Sequence, residues 1–156
     1  MFSMRRFIHP LSIAYAGLTR AMTLGVRAAA FDAEGRVFLV HHSYLPGWYF
    51  PGGGVERGES AVAALDRELA EEGGVVRSGP AELFGFYWNR RKGRARDHVA
   101  LYVCRGVTIE NPPKIPNREI AAAGFFATDE LPADLSPATR RRLDEILEGV
   151  PRADEW

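Results

Sequence analysis

The sequence predicts an α/β (α+β) fold, a mixed β-sheet with helices on its faces. Three observations carry that expectation. Apolar runs of period 2 alternate with stripes of period 3.6, in the order helix, strands, helix, strands, helix. Two of the helices begin at good capping residues, Ser60 and Ser136. A chain of 156 residues, 46% hydrophobic, is also sized for one core.

Residues 1–22 read as an N-terminal helical extension. Pro10 suits the first turn of a helix, and Leu11, Tyr15, Leu18 and Met22 then share one face. Such a helix packs on its own domain or exchanges with a second subunit, which would make a homodimer. The main domain is expected over 23–149. Val26, Ala28 and Ala30 alternate with Arg27 and Ala29, turn residues follow at 32–35, and 37–40 is apolar, so the pattern is a hairpin. A loop at 44–48 leads through Tyr49-Phe50-Pro51 to the run Gly52-Gly53-Gly54.

The next helix covers about 60–72, with Val62, Leu65 and Leu69 as its apolar stripe. Gly73-Gly74 supplies the left-handed residue that stops it. Strands are expected at 83–88 and 98–104, flanking a basic loop, and at 120–127. The last helix starts at Ser136 and Pro137, turns Leu143, Ile146 and Leu147 inward, and ends near Gly149. The short tail, 150–156, is expected to fray.

Composition excludes several classes. Lys+Arg and Asp+Glu balance at 20 each, so there is no global electrostatic case for nucleic acid or an anionic membrane. Arg5 and Arg6 precede a short apolar stretch broken by Ser12 and Gly17, and no segment approaches the ~18 apolar residues that span a bilayer. The single cysteine, Cys104, cannot form an intrachain disulfide and fits a cytoplasmic protein. It reads as a small buried residue, with a reactive thiol as the alternative.

The chemistry concentrates between residues 52 and 75. Glu68, Glu71 and Glu72, at i, i+3 and i+4, share one helical face. Their mutual repulsion vanishes if a divalent cation sits among them, and hard oxygen donors suit Mg²⁺ or Mn²⁺. The apolar stripe anchors the opposite face, leaving the acidic face to look outward. Gly52-Gly53-Gly54 allows backbone to approach a ligand closely. Glu56 and Glu59 add carboxylates, and Arg67 can reach Glu71 at i+4. An acidic helix face alone is usually just solvated. The full spacing is more specific: Gly53, Glu59, Arg67-Glu68-Leu69, Glu71-Glu72 and Gly74-Val75. Seven fixed letters at roughly 7% usage coincide on the order of once in 10⁸ windows.

That pattern is the Nudix box, and the chain resembles the Nudix hydrolases over about 23–149. Trp48-Tyr49-Phe50-Pro51-Gly52-Gly53 is similar to the family's entry to the box. Glu119-Ile120, Phe125-Phe126 and Glu130-Leu131-Pro132 are similar to its ending. The resemblance implies a Nudix-type α/β/α sandwich, with the box as a loop–helix–loop. It implies Mg²⁺-dependent hydrolysis, Mn²⁺ substituting, of a nucleoside diphosphate linked to a further group X. Glu68, Glu71, Glu72 and the carbonyl of Gly52 would be the metal ligands. Glu71 is the first choice to activate water, with Glu68 and Glu119 as alternatives and Arg67 beside them. Arg27, Arg90 and Arg96 are candidate phosphate contacts. Trp48 could stack a base, and Gly53 and Glu59 complete the expected substrate-binding set.

Other features stay open. Arg90, Arg91, Lys92, Arg94 and Arg96 form either a solvated hairpin loop or a phosphate or RNA contact. His41 and His42 point to opposite faces of a strand and read as packing or surface, with the cleft as the alternative. His98 beside Asp97 could be an oriented imidazole. Tyr49, Phe86, Tyr87 and Trp88 are core or stacking residues. Removal of pyrophosphate from the 5′ end of RNA is a second activity, and a non-catalytic nucleotide-sensing domain a third; the intact carboxylates speak against the last. ADP-ribose hydrolases of the family often carry a proline about sixteen residues past the box, and dinucleoside-polyphosphate hydrolases a tyrosine. Arg91, Lys92 and Gly93 stand there, so neither substrate is marked.

Overall fold

The computed structural model describes residues 21–90 and 96–156. Its elements are β1 (Thr23–Phe31), β2 (Val37–His42), β3 (Trp48–Tyr49), α1 (Ala61–Gly73), β4 (Val75–Arg77), β5 (Ala81–Trp88), β6 (Asp97–Arg105), β7 (Val107–Ile109), β8 (Ile120–Phe126) and α2 (Pro137–Leu147). The main sheet runs β3-β2-β1-β6-β5, with β8 also on β2. Strands β1 and β6 are parallel, and the other pairings are antiparallel. The sheet is therefore mixed, as expected. A separate ribbon pairs β4 with β7.

Alternation in β1 sets the layers. Val26, Ala28 and Ala30 face one side and pack with Ala64, Leu65 and Leu69 of α1. Ala29 and Phe31 face the other and pack with Leu143 of α2. A strand buried on both faces carries small apolar residues at odd and even positions alike. Leu65 and Leu69 are essentially fully buried, and each contributes about 2 kcal/mol.

Both helices start and stop as their sequences specify. Ser60 Oγ accepts the Ala63 N–H at 3.1 Å, and Ser136 Oγ the Thr139 N–H at 3.2 Å. Gly74, at φ 64°, closes α1 by donating its N–H to the Ala70 carbonyl.

Several expectations need correction. Leu147 is 45% exposed, whereas Arg142 and Glu145 turn inward. Their ion pair at 2.6 Å, i to i+3, makes two buried charges tolerable. The tail does not fray. Trp88 N–H donates to the Asp154 carbonyl at 2.9 Å, and Trp156 N–H to the Trp88 carbonyl at 3.0 Å. The acidic face of α1 is not simply outward either, because Glu72 is buried. The short strands β3, β4 and β7 carry no periodicity of their own and were not expected. The helix expected to bear Leu11, Tyr15 and Leu18, and residues 91–95 of the expected basic loop, lie outside the described residues. Among the described residues, no helix is long and apolar enough to cross a membrane.

Candidate active site

The glycine loop is held by an open edge of β1. That strand meets β2 only at Phe31–Val37, so its earlier residues need other partners. Val26 N–H donates to the Gly53 carbonyl at 2.9 Å, Ala28 N–H to Pro51 at 3.0 Å, and Val55 N–H to Leu24 at 2.9 Å. The approach is too close for a side chain. A Cβ on Gly52, whose φ is +139°, would lie 2.2 Å from the Val26 carbonyl oxygen. One on Gly53 would lie 2.2 Å from Glu68 Oε1, so the loop abuts the acidic face of α1 directly.

Glu72 sits at the centre of this contact. Its Oε2 accepts the Gly52 N–H at 2.7 Å. Burial pushes its carboxyl up to about 7, against the pull of the Gly52 N–H and Arg27 and with added push from Glu68 and Glu119. His42 Nε2 lies 3.8 Å from Glu72 Oε1, and burial, then Arg27, holds that imidazole toward its neutral form. The Tyr44 hydroxyl faces the same carboxylates: burial and then Glu72 and Glu119 raise its pKa.

Arg67 braces the other side. Its Nε and Nη2 grip Glu59 at 3.0 and 3.2 Å, Nη1 meets Glu68 at 2.8 Å, and Nη2 donates to the Gly54 carbonyl at 3.0 Å. These bonds, Glu59 foremost, raise the guanidinium pKa further above its ordinary value. The expected contact with Glu71 exists at 3.3 Å but is secondary, and Glu71 stays largely exposed.

Two cavities flank the loop. One of about 270 Å³ is lined by Glu68, Glu71, Glu72, Asn117, Arg118 and Glu119. Glu119 is aimed there by a turn in which Asn117 Oδ1 accepts the Glu119 and Ile120 N–H groups at 2.9 and 2.8 Å. Among the described residues no three acidic, histidine or cysteine side chains converge as a ready-made ligand set. Glu68 instead accepts from Arg67, and Glu72 from the Gly52 N–H. The second cavity, about 370 Å³, has Arg27, Tyr49, Asn89, Arg90, Arg141 and Trp156 among its lining residues.

The expected site residues thus divide. Glu68, Glu71, Glu72 and Glu119 share one cavity, and Arg27 and Arg90 line the other. Trp48 instead packs edge-on against Phe126 and His41, and Glu59 serves Arg67. Neither they nor Arg96 lines either cavity. Residues 155 and 156, and the turn-forming Asn117 before Glu119, were missed in the sequence; only the Asn117 side chain, of a turn-favouring type, could have signalled its role.

A profile of the NUDIX domain matches residues 22–146. The chain belongs to the NUDIX family. It is a hydrolase acting on diphosphate bonds. An RNA pyrophosphohydrolase of Cereibacter sphaeroides is 26% identical over 161 residues, covering 92% of this chain and 95% of the relative. Another, from Dinoroseobacter shibae, is 48% identical over 53 residues, 33% of either chain. Among solved structures, a MutT NUDIX hydrolase from Burkholderia pseudomallei aligns at TM-score 0.67 and 27% identity, over 80% of this chain and 97% of that one. An ADP-ribose pyrophosphatase from Streptococcus suis aligns at 0.60 and 27% identity, over 86% and 95%. Proteins that align with most of this Nudix chain thus carry differing activities.

Proposed function

We propose that this Nudix hydrolase cleaves the diphosphate linkage of a nucleoside-diphosphate-X substrate with Mg²⁺, for which Mn²⁺ can substitute. The observation that carries the proposal is Glu72. Its carboxylate is buried and shares one cavity with Glu68, Glu71 and Glu119, so four acidic groups meet in one place. The donor set fits a hard divalent cation, being all oxygen: Glu68, Glu71 and Glu72, with the carbonyl of Gly52. A bound ion supplies neutralisation of the diphosphate and acidification of the attacking water.

The chain's own residues do the rest. Glu71, exposed and loosely held by Arg67, is the first candidate to take the proton from water; Glu68 and Glu119, on the same cavity, are the alternatives. Arg67 is a positioning residue that fixes Glu68 against the glycine loop. Arg27 and Arg90 orient the phosphates from the larger cavity. A cytoplasmic location is part of this proposal and suits the single buried thiol.

A second reading is removal of pyrophosphate from 5′-triphosphate RNA. It is favoured by the Cereibacter sphaeroides relative, which aligns over nearly its whole length. A panel assay with Mg²⁺ separates the two. It covers nucleoside triphosphates, ADP-ribose, NADH, sugar nucleotides, dinucleoside polyphosphates and 5′-triphosphate RNA. Metal-dependent turnover of one class is expected, with Glu71→Gln and Glu72→Gln each at least about 10²-fold slower. Near-normal turnover in both variants overturns the assignment.

A further inference from the structure

The buried pair Arg142–Glu145 stands apart from the catalytic carboxylates. Replacing such a pair with apolar side chains is often neutral or stabilising, so its presence calls for a positional role. Its side-chain hydrogen bonds beyond the pair itself run to the tail or to β5. Arg142 Nη1 donates to the Glu155 carbonyl at 2.8 Å, and Glu145 Oε1 accepts the Ala153 N–H at 3.0 Å. Glu145 Oε2 accepts the Tyr87 hydroxyl at 2.9 Å. The Arg142 guanidinium lies 4.3 Å from the Tyr87 ring centroid and 5.8 Å from that of Trp156. Upstream, Arg152 Nη1 donates to the Phe84 carbonyl.

These bonds deliver the tail to the larger cavity. Glu155 and Trp156 line it together with Arg27, Tyr49, Arg90 and Arg141. Trp156 sits edge-on to Tyr87 at 5.6 Å, and its carbonyl accepts from Arg141 Nη2 at 3.0 Å. Glu155 reaches Arg90 at 3.6 Å. The cavity thus combines aromatic rings with guanidiniums, the surface a planar base joined to phosphate requires. The NUDIX profile match ends at residue 146, before this segment begins.

We propose that residues 153–156 are a substrate-recognition strap, in which Trp156 forms the wall that takes the nucleobase and Glu155 holds Arg90 at the rim. This rests on the proposed placing of a nucleotide in the larger cavity. Because Trp156 lines the larger cavity and not the one lined by Glu68, Glu71 and Glu72, its contact acts on binding and not on the chemical step, whereas Glu155 acts through Arg90. Trp156 is then a specificity residue.

The test compares wild type with Trp156→Ala, Trp156→Leu and Trp156→Phe. Leucine keeps apolar bulk against Tyr87 and removes the planar ring; phenylalanine restores a ring. For the best substrate, the Ala and Leu variants are expected to raise KM about tenfold, the scale of one stacked base, with kcat within about twofold. Phenylalanine should recover most of that loss. Titrating ADP into each protein in EDTA reads the same contact without turnover, and its Kd should rise in parallel. Unchanged KM and Kd in the Leu variant, or a fall in kcat at constant KM, overturns the proposal. If wild type hydrolyses nothing in the panel, the functional reading fails, and ADP affinity still decides the strap by itself.

Discussion

Replacing Glu72 by Gln should stabilise the metal-free protein at alkaline pH while disabling it. The carboxyl group stands at about 7 in the fold against an ordinary 4.5. That gap, at about 1.4 kcal/mol per pH unit, corresponds to about 3 kcal/mol. The folded state binds this proton more tightly than the unfolded chain does. The contribution is therefore complete below pH 4.5 and is lost as pH rises through about 7. Gln keeps the shape and an oxygen to accept the Gly52 N–H, but never ionises. In EDTA at pH 8, Glu72→Gln should be more stable than wild type by up to about 3 kcal/mol. For a chain of this length that is roughly 6–12 °C in Tm. Below pH 4.5 the two should melt together. Arg27, Glu68, Glu119 and His42 also face the group, and the difference between the two proteins cancels much of their common titration. Thermal melts across pH 4–8 read the effect. A Gln variant less stable than wild type at pH 8, or a difference independent of pH, refutes the reasoning. Adding Mg²⁺ at pH 8 should raise the Tm of wild type more than that of the variant.

The two box glycines should respond differently to alanine. In Gly53→Ala the new methyl meets the flexible end of Glu68, so Tm should hold within a few degrees while kcat falls about tenfold. Gly52→Ala drives a methyl into the Val26 carbonyl at a positive φ, and should destabilise the fold on the order of 3 kcal/mol by urea titration. Cys104 is fully buried, and burial pushes its thiol up to about 11. It should resist a thiol reagent at pH 8 in the native protein and react fully in denaturant; rapid native labelling counts against that burial.

The parts legible in the sequence are those encoded locally. Helix α1 announces itself through the Ser60 cap, the Leu65–Leu69 stripe and Gly74, all within one short segment. The carboxylates follow because helical spacing alone puts them on one face. Strands β4 and β7 were hidden, since Val75 finds its partner at Ile109, far along the chain, and three residues show no period. Polarity misled at α2. Leu143, Ile146 and Leu147 read as the inward face, yet Arg142, paired with Glu145 one turn on, lies inside and Leu147 is turned out. The tail was illegible for the same reason: its partners are backbone groups of Trp88 and a buried ion pair, which no property of residues 150–156 announces.

The parallel ladder between β1 and β6 bears on how the chain is made. It runs in unbroken register from Thr23↔Asp97 to Phe31↔Arg105, joining segments whose intervening chain contains α1 and the glycine loop. Pairings of such wide separation form slowly, because a long loop must close before any bond rewards it. During synthesis, the box leaves the ribosome before residues 97–105 do. Until they arrive, β1 has the glycine loop along one edge and nothing along the other, an exposed template for strand addition. Growing chains stalled before residue 97 has left the ribosome should therefore aggregate, and those with residue 105 outside should become protected from protease across the glycine loop and β1 together.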